Sequence, residues 1–284
     1  MFRKLLTGLT LAAALNAAAA YADVSYQHIR NATGKLSYND VTFLIDPMLA
    51  DKGYYEGFAG TFNSELRNPM LDLPESKESI LKDVDAVVVT HTHLDHWDEI
   101  AVKAIDKNLP IIVQNQSDAD IIKKQGFKDV RILGTTLEFK GVTLSHIEGM
   151  HGSNELFADP IYKEAMMNTM GIVFKQDKEK TTYVLGDTIW TGLIDLALAQ
   201  YSPDIIVMNT GYAKVLDYNE SIIMGTEDVK KMVMKMPKSQ IIAVHMDAIN
   251  HCTVSRSNMH SFVKFHKYEK QVWIPFEGDR KIFR

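Results

Sequence analysis

Short apolar runs alternate with amphipathic segments through most of this 284-residue chain. The apolar runs are rich in Val and Ile and span only a few residues, which favours buried strands. Between them, apolar residues recur three and four positions apart, as in the segment that starts at Trp97, and this spacing predicts helices. The alternation is typical of a layered α/β protein, and both halves of the chain share it. Strands are predicted at 41–45, 84–90, 110–114, 137–139, 142–144, 171–174, 182–185, 204–208, 241–244 and 272–274, and helices at 97–105, 117–126, 191–201, 226–236 and after 253.

The first 22 residues follow a different pattern. Arg3 and Lys4 precede an apolar stretch at 5–20, and Ala20-Tyr21-Ala22 then gives the small-x-small pattern of a cleavage site. These are the parts of a secretory signal peptide, so we expect cleavage after Ala22 and a periplasmic or secreted mature protein. Polar residues interrupt the stretch, which is short for a span of about 20 apolar residues. We therefore expect no stable membrane insertion after cleavage.

The composition favours a single globular domain without disulfides and argues against a nucleic-acid-binding protein. Hydrophobic residues make up 46% of the chain, enough for residues 23–284 to form one domain with a large core. Cys252 is the only cysteine, so no intrachain disulfide can form. The net charge is −5 and the basic residues are dispersed, which argues against nucleic acid as a partner. The oligomeric state stays open.

The strand predicted at 84–90 runs directly into His91-Thr92-His93-Leu94-Asp95-His96. In an extended segment, side chains two positions apart point the same way, so His91, His93 and Asp95 are expected to share one side. A turn must then bring His96 to them. Imidazole nitrogens and carboxylate oxygens suit Zn²⁺, with Mn²⁺ or Fe²⁺ as alternatives according to supply. Four such groups in one loop exceed what a single tetrahedral ion takes from one direction, so two adjacent divalent ions are expected.

Four further residues with suitable side chains stand at the ends of predicted strands. Taken singly, an Asp in such a place is more often a turn residue, and a lone His is more often structural. Loops at strand ends can converge on one site, however, and the joint occurrence with the motif favours a shared metal site. These residues are Asp46, His151, Asp187 and His245.

With these residues in this order, the chain resembles the metallo-β-lactamase superfamily. The resemblance covers essentially all of residues 23–284, and it implies an α/β fold, the αββα four-layer sandwich, with a dinuclear site at one edge. Asp46 matches the superfamily's structural Asp, which orients the ligand loop without touching metal. The resemblance further implies that His91, His93 and His151 hold one ion, that Asp95, His96 and His245 hold the other, and that Asp187 bridges them.

Details of the motif separate the chain from some members of the superfamily. The true β-lactamases have Cys or no ligand where Asp187 stands, and flavodiiron oxidoreductases have Glu where His93 stands. Glyoxalase II members usually have glycines after the last His of the motif, whereas Trp97 follows here. In this respect the chain is similar to the branch that contains the ascorbate-6-phosphate lactonase and the phospholipase D that cleaves N-acyl-phosphatidylethanolamine.

The expected activity is the hydrolysis of a small-molecule ester, lactone or phosphodiester. Two metal ions lower the pKa of a water held between them, and the hydroxide formed there attacks the polarised substrate. In this reading Asp187 and Asp95 are the catalytic carboxylates, and Asp95 also passes a proton to the leaving group. Two alternatives remain: a metal-binding or sensing protein of the same fold with little turnover, and a redox di-iron protein, which His93 disfavours.

Candidate substrate contacts lie in two regions. Segment 51–76 combines glycines with aromatic residues such as Tyr55. It is interpreted either as a lid, in which Arg67 could meet an anion, or as a loop packed onto the body. His251 follows the predicted ligands closely, and Tyr212 stands at another strand end; both are candidates for substrate contact. For His251 the alternative is a position behind the ligands or at the start of a helix.

Overall fold

The computed structural model describes residues 23–38, 40–166, 168–218 and 221–284, without the side chains of residues 164 and 165. The signal peptide predicted at 1–22 lies outside the described residues. Within the described ranges, every helix is too short or too polar to span a bilayer.

The first sheet has seven strands. It starts with an antiparallel hairpin and continues as parallel strands. Parallel strands covered on both faces read as continuous apolar runs, and segment 86–89, Ala-Val-Val-Val, is wholly buried. In spatial order the strands are β14 (Arg280–Phe283), β1 (Val24–Arg30), β2 (Thr33–Tyr38), β3 (Val41–Ile45), β4 (Ala86–Val89), β5 (Ile111–Val113) and β6 (Val130–Ile132).

The second sheet also has seven strands, four of them parallel. Its antiparallel part contains the predicted hairpin, whose two turn residues, Lys140 and Gly141, have φ angles of 48° and 83°. Positive φ at both positions is what a two-residue hairpin turn of type I′ requires. In spatial order the strands are β13 (Val272–Trp273), β12 (Gln240–Val244), β11 (Ile205–Asn209), β10 (Thr182–Val184), β9 (Thr169–Lys175), β8 (Val142–Gly149) and β7 (Thr136–Phe139).

Side-chain caps fix where several helices begin. The Asp98 carboxylate accepts a hydrogen bond from the Ala101 amide at 2.6 Å, and the Asn115 side chain accepts one from the Asp118 amide at 2.9 Å. Both satisfy amides that have no partner within their own helix. The helices are α1 (Lys77–Leu81), α2 (Glu99–Ala104), α3 (Gln116–Lys124), α4 (Asn154–Ala158), α5 (Pro160–Ala165), α6 (Gly192–Tyr201), α7 (Thr226–Lys235) and α8 (Arg256–His266).

The apolar core is arranged in layers. Between the two sheets, Phe43 of β3 packs against Phe139 of β7 and Phe174 of β9, with ring centroids 5.6 and 5.2 Å apart. The other face of the first sheet packs against α1, α2 and α3, and the other face of the second sheet against α6, α7 and α8. The predicted αββα four-layer sandwich is therefore confirmed.

The hairpin of β1 and β2 was not predicted, because its polar residues hide the apolar pattern. Arg30 of β1 is fully buried. Its guanidinium donates to the carbonyl oxygens of Met48 and Ala50 at 2.8 Å and of Leu71 at 2.9 Å. A buried cation with three such acceptors is tolerated, but only the folded chain shows that these acceptors exist.

The topology places the chemically important residues at one edge of the sandwich. β3 and β4 run parallel, as do β10, β11 and β12, so the carboxyl ends of each set lie on one side. Asp46 follows β3, and the motif that starts at His91 follows β4. Asp187 and His245 come just after β10 and β12. Segments far apart in sequence therefore converge on a single site.

Candidate metal centre

The motif leaves β4 and turns at once. The carbonyl oxygen of His93 accepts hydrogen bonds from the amides of His96 at 2.9 Å and Trp97 at 2.8 Å. The segment is therefore not extended beyond His93, which corrects the expectation that Asp95 shares one side with His91 and His93. Instead the turn sends Asp95 and His96 to a separate group of side chains.

The first group consists of three histidines. His91 and His93 come from the motif, and His151 follows β8. The ligand atoms of the three lie within 4.8 Å of one another, and His91 Nε2 is 3.0 Å from His93 Nδ1. Three imidazoles gathered in this way match the ligand set of a borderline metal.

The second group consists of two histidines and two carboxylates, all buried. His96 Nε2 lies 3.1 Å from Asp187 Oδ2 and 3.2 Å from His245 Nε2. Asp95 Oδ2 lies 3.3 Å from His245 Nε2. Asp187 also reaches the first group, since its Oδ2 is 3.7 Å from His151 Nε2. Asp187 therefore lies between the two groups, where a bridging ligand is expected.

The Nδ1 atoms of four histidines are engaged away from the centre. His96 Nδ1 donates to Asp46 Oδ2 at 2.9 Å, and His91 Nδ1 lies 3.1 Å from Thr90 Oγ1. His151 Nδ1 lies 3.0 Å from the carbonyl oxygen of Ile222, and His245 Nδ1 lies 3.5 Å from the sulfur of Cys252. A proton held at Nδ1 leaves the Nε2 lone pair free for a metal, which is the usual arrangement in metal sites. Asp46 orients His96 in the way the sequence analysis expected of it.

Asp46 also fixes the start of the ligand loop. Its Oδ1 accepts from the Thr90 amide and its Oδ2 from the Thr90 hydroxyl, both at 2.7 Å. The Asp46 backbone is left-handed, with φ at 45°. Among side chains other than glycine, Asp and Asn adopt this conformation most readily.

Asp187 is held by residues that sequence reasoning did not single out. Asn209, at the end of β11, donates its side-chain amide to Asp187 Oδ1 at 2.6 Å. Gly186 precedes Asp187 with φ at 67°, and a Cβ there would lie 2.5 Å from the carbonyl oxygen of Met170, so only glycine fits. The one available signal was Asn209 at a strand end, where polar side chains often serve a site.

The charges of the site favour a cation. Burial lowers the pKa of His91 well below its usual value and that of His151 to about 4, so both rings are neutral. Burial alone would also lower the pKa of His96, but the carboxylates of Asp187, Asp95 and Asp46 raise it to about 10. In the metal-free chain a proton on His96 therefore balances these buried carboxylates. A divalent cation can displace that proton, as metal ions do on binding.

The donor set thus fits a metal site in two respects. Its nitrogen and carboxylate atoms converge from four separate loops, and the main favourable charges beside the buried Asp95 and Asp187 carboxylates are histidines of the same site. An uncompensated buried carboxylate is costly, and coordination of a metal ion is one of the ways in which proteins offset that cost.

A cavity of about 250 Å³ opens onto the ligands. Its polar side consists of four candidate ligands, His93, Asp95, His151 and Asp187, together with Thr61 and His251. Its other side is mainly apolar, and none of the described residues that line it is Lys or Arg. The lining residues are Phe58, Ala59, Thr61, His93, Leu94, Asp95, His151, Met166, Asp187, Ile222 and His251.

Of the four candidate substrate contacts, only His251 is among the described residues that line this cavity. Arg67 donates hydrogen bonds to the carbonyl oxygens of Gly53 and Tyr54 in its own loop and forms an ion pair with Glu56. Its expected role toward an anion stays a prediction. Tyr55 packs beside a small apolar cluster built around Met48, Ala248 and Ile249. The ring of Tyr212 lies close to Gly225 and beneath the ammonium group of Lys214. Neither tyrosine is among the described residues that line the cavity, and their role as substrate contacts stays a prediction.

Segment 51–76 is pinned to the body by the side chain of Asn250. Its Oδ1 accepts from the Phe58 amide at 3.1 Å and from the Asn68 side chain at 2.7 Å. Its Nδ2 donates to Thr61 Oγ1 at 2.9 Å and to the Phe62 carbonyl oxygen at 2.7 Å. Of the two interpretations of this segment, the structure supports the packed loop, which forms one wall of the cavity through Phe58, Ala59 and Thr61.

Comparison with known proteins agrees with this geometry. Residues 42–246 match the family model described as the beta-lactamase superfamily domain. Among curated proteins, UPF0173 protein YddR from Bacillus subtilis is 41% identical over 255 residues, which cover 90% of this chain and 98% of that protein.

Two solved structures are similar over nearly the whole described chain. One, a possible metal-dependent hydrolase from Veillonella parvula, is 49% identical with a TM-score of 0.91, and the match covers 92% of this chain and 99% of that one. The other, an isothiocyanate hydrolase from Delia radicum gut bacteria, is 43% identical with a TM-score of 0.88, and the match covers 91% of this chain and 99% of that one.

Proposed function

The chain belongs to the beta-lactamase superfamily domain family and is a metal-dependent hydrolase, and from this premise we propose that it hydrolyses a small uncharged substrate at an electrophilic carbon. The substrate class we favour is the isothiocyanates. Small esters and lactones, which the sequence analysis predicted, present the same kind of carbon and form the wider class.

The observation that carries this proposal is the lining of the cavity. The cavity has a volume of about 250 Å³. Candidate metal ligands form one side of it, and apolar residues that include Phe58, Met166 and Ile222 form the other. Because none of the described lining residues is Lys or Arg, the protein supplies no cationic side chain for a phosphate group. The proposed metal ions could attract a phosphate, but no side chain of the lining adds to that charge, and the apolar wall favours an uncharged substrate with an apolar substituent over the phosphodiester also predicted from the sequence.

The isothiocyanate hydrolase that matches 91% of this chain supports the choice within that class. An isothiocyanate, R–N=C=S, is small and uncharged, and its central carbon is the electrophile. Hydrolysis consumes one water molecule: the water oxygen bonds to the central carbon, the carbon–nitrogen bond breaks, and both water hydrogens end on nitrogen. The products are the amine R–NH₂ and carbonyl sulfide, so atoms balance without an oxidant or a reductant.

We propose that two divalent ions, Zn²⁺ by preference, are the cofactors. One would be held by His91, His93 and His151, the other by the second group, with Asp187 shared between them. Such ions, when bound, lower the pKa of water toward about 7 and polarise the group under attack. A complete histidine set, including His93, favours this role over a redox di-iron protein.

The chain's own residues supply orientation, proton transfer and exclusion of water. Asp46 and Asn209 hold His96 and Asp187 in place through hydrogen bonds of 2.9 and 2.6 Å. The Asp95 carboxylate lines the cavity, where it can take a proton from the attacking water and return it to the leaving nitrogen or oxygen. Phe58 and its apolar neighbours surround the substituent of the substrate and keep out bulk water.

The test is turnover by the protein that starts at Asp23, loaded with Zn²⁺. Benzyl isothiocyanate is supplied, and benzylamine and carbonyl sulfide are measured in equal amounts; phenyl acetate and bis(4-nitrophenyl) phosphate are run beside it. We expect the isothiocyanate to be hydrolysed, Asp187→Asn to abolish the reaction, and Asp177→Asn, in an exposed turn, to leave it unchanged. A wild-type protein that binds metal and turns over none of the three would favour the metal-binding or sensing alternative.

We further propose that the chain acts as a periplasmic or secreted enzyme. The basis is the signal peptide predicted at 1–22. Fractionation of cells that express the full chain tests this, because export removes those residues and shifts the measured mass to that of residues 23–284.

A further inference from the structure

Two polar side chains on the cavity wall, Thr61 and His251, belong to neither proposed metal site. Thr61 Oγ1 is already hydrogen-bonded to the Phe58 carbonyl oxygen and to Asn250 Nδ2, which leaves His251. It is 6% exposed, and it belongs to neither group of metal ligands. It nevertheless lines the cavity together with Asp95 and Asp187. A buried imidazole among apolar residues and ligands needs a hydrogen-bonding partner, or it lowers stability.

One nitrogen of this ring has no such partner in the described chain. His251 Nδ1 is buried and receives no hydrogen bond from the described residues. A proton on Nδ1 would therefore be an unsatisfied buried donor, which is costly. The tautomer with its proton on Nε2 avoids this, and a ring whose Nδ1 is enclosed has Nε2 left to meet a molecule in the cavity.

Contacts of both the ring and the backbone hold His251 in place. Phe58 packs against it edge to face, with ring centroids 5.2 Å apart. The backbone of His251 is fixed as well, because its carbonyl oxygen accepts from the Lys214 amide at 3.0 Å. The next residue, Cys252, pairs with Ala213 in a β-bridge. A donor fixed in this way needs little reorganisation when substrate enters.

We propose that the Nε2–H of His251 donates a hydrogen bond to the substrate heteroatom on which negative charge develops when water adds to the electrophilic carbon. His251 would thus be a catalytic residue that touches substrate, not a metal ligand. The inference rests on the proposed hydrolysis and names the protein group that recognises the reacting end of the substrate. For an isothiocyanate that heteroatom is the nitrogen or sulfur, and for an ester it is the carbonyl oxygen.

A neutral ring suits this role. Burial lowers the pKa of His251 to about 4, so the ring is uncharged near neutral pH. A neutral imidazole can still donate through its N–H, and it keeps the N–H while doing so. The donor therefore stabilises developing charge without taking part in proton transfer, a task that Asp95 can perform from the same cavity.

The test compares two substitutions that differ in one donor. His251→Gln places an amide N–H near the position of Nε2, whereas His251→Phe keeps a planar ring and removes the donor. His260→Gln, on the exposed face of α8, is the matched control. For each Zn²⁺-loaded protein, bound metal is counted, and kcat and KM are measured with benzyl isothiocyanate and phenyl acetate. Thiocyanate ion, which offers an acceptor atom without turnover, is titrated by calorimetry.

We expect His251→Phe to lose about 10²–10³-fold in kcat with little change in KM, as when a single preorganised donor is removed. His251→Gln should keep activity within about tenfold of the wild type, and both variants should retain the wild-type metal content. Thiocyanate should bind His251→Phe about tenfold more weakly, the share of one hydrogen bond.

Three results separate the possible failures. If His251→Phe turns over substrate like the wild type, the inference is wrong while the proposed function stands. If either variant loses metal, His251 is a ligand and the inference is again wrong. If the wild type hydrolyses neither substrate, the proposed function fails, and the thiocyanate titration alone decides whether Nε2–H meets a ligand.

Discussion

Replacing Asp46 by Asn tests how strongly a hydrogen-bond partner of a candidate metal ligand controls metal binding, because Asp46 bonds to His96 and belongs to neither metal group. The substitution preserves shape, and Asn tolerates the left-handed backbone found there, with φ at 45°. It changes one carboxylate oxygen into an NH₂ group, which can only donate. Asp46 has no oxygen to spare for this change, because Oδ1 accepts from the Thr90 amide while Oδ2 accepts from the Thr90 hydroxyl and from His96 Nδ1.

Either orientation of the new amide creates a conflict. With NH₂ at the Oδ1 position, two donors, the new amide and the Thr90 amide, face each other. With NH₂ at the Oδ2 position, the new group faces His96 Nδ1, and the His96 proton must move to Nε2. Since Nε2 is the atom that lies 3.1 Å from Asp187 and 3.2 Å from His245, that tautomer cannot bind metal there.

The expected loss in metal affinity is about 10–100-fold, the usual effect of removing such a partner. At about 1.4 kcal/mol per tenfold change, this corresponds to about 1.4–2.8 kcal/mol of binding free energy. The assay is competition for Zn²⁺ with a chromogenic chelator, and circular dichroism checks that the variant is folded. Asp177→Asn, in an exposed turn, is the control. A folded Asp46→Asn protein whose Zn²⁺ affinity lies within twofold of the wild type would refute the reasoning.

Three further predictions follow from the same structure. Asn250→Ala should lower the free energy of unfolding by about 2–4 kcal/mol in urea titrations, because four hydrogen bonds of its side chain hold segment 51–76; a change below about 0.5 kcal/mol would contradict this. Burial lowers the pKa of His28 to about 3 in the folded chain, whereas the same ring titrates at about pH 6.5 in the unfolded chain. Below about pH 6.5 the unfolded chain therefore takes up a proton that the folded chain does not, and the free energy of unfolding should fall. Between pH 7 and pH 5, the free energy of unfolding should therefore fall by about 2 kcal/mol less in His28→Gln than in the wild type, both treated with chelator. Equal losses in the two proteins would count against this. Removal of metal by a chelator should abolish hydrolysis and lower the melting temperature, both restored by Zn²⁺; full activity in protein shown to be metal-free would exclude the proposed chemistry.

The sequence was sufficient to identify the candidate metal ligands because their signal is local. Histidines and carboxylates in one short motif are rare without a metal, and the residues that end apolar runs can be read from the same pattern. The layered fold followed for a similar reason, since runs such as 86–89 are apolar throughout, as strands covered on both faces must be. These features depend on residue type and spacing, which can be read directly from the sequence.

The partners of those ligands could not be predicted from the chain alone. Asn209 meets Asp187, Ile222 meets His151 through its carbonyl oxygen, and Cys252 meets His245, and none of these pairs has a fixed spacing in sequence. Arg67 is a further example, because the sequence shows only a cation in a glycine-containing segment, whereas the structure shows its guanidinium hydrogen-bonded to carbonyl oxygens of its own loop.

What the sequence by itself determined is therefore the fold class and the candidate metal ligands, because period and residue chemistry are local properties of the chain. What only the tertiary structure decided is the lining of the cavity, the hydrogen bonds by which Asn250 holds segment 51–76, and the buried nitrogen of His251 that has no partner among the described residues. Each of these depends on which atoms approach within hydrogen-bonding distance across the fold. Such contacts arise from the packing of segments far apart in sequence, which no local pattern encodes.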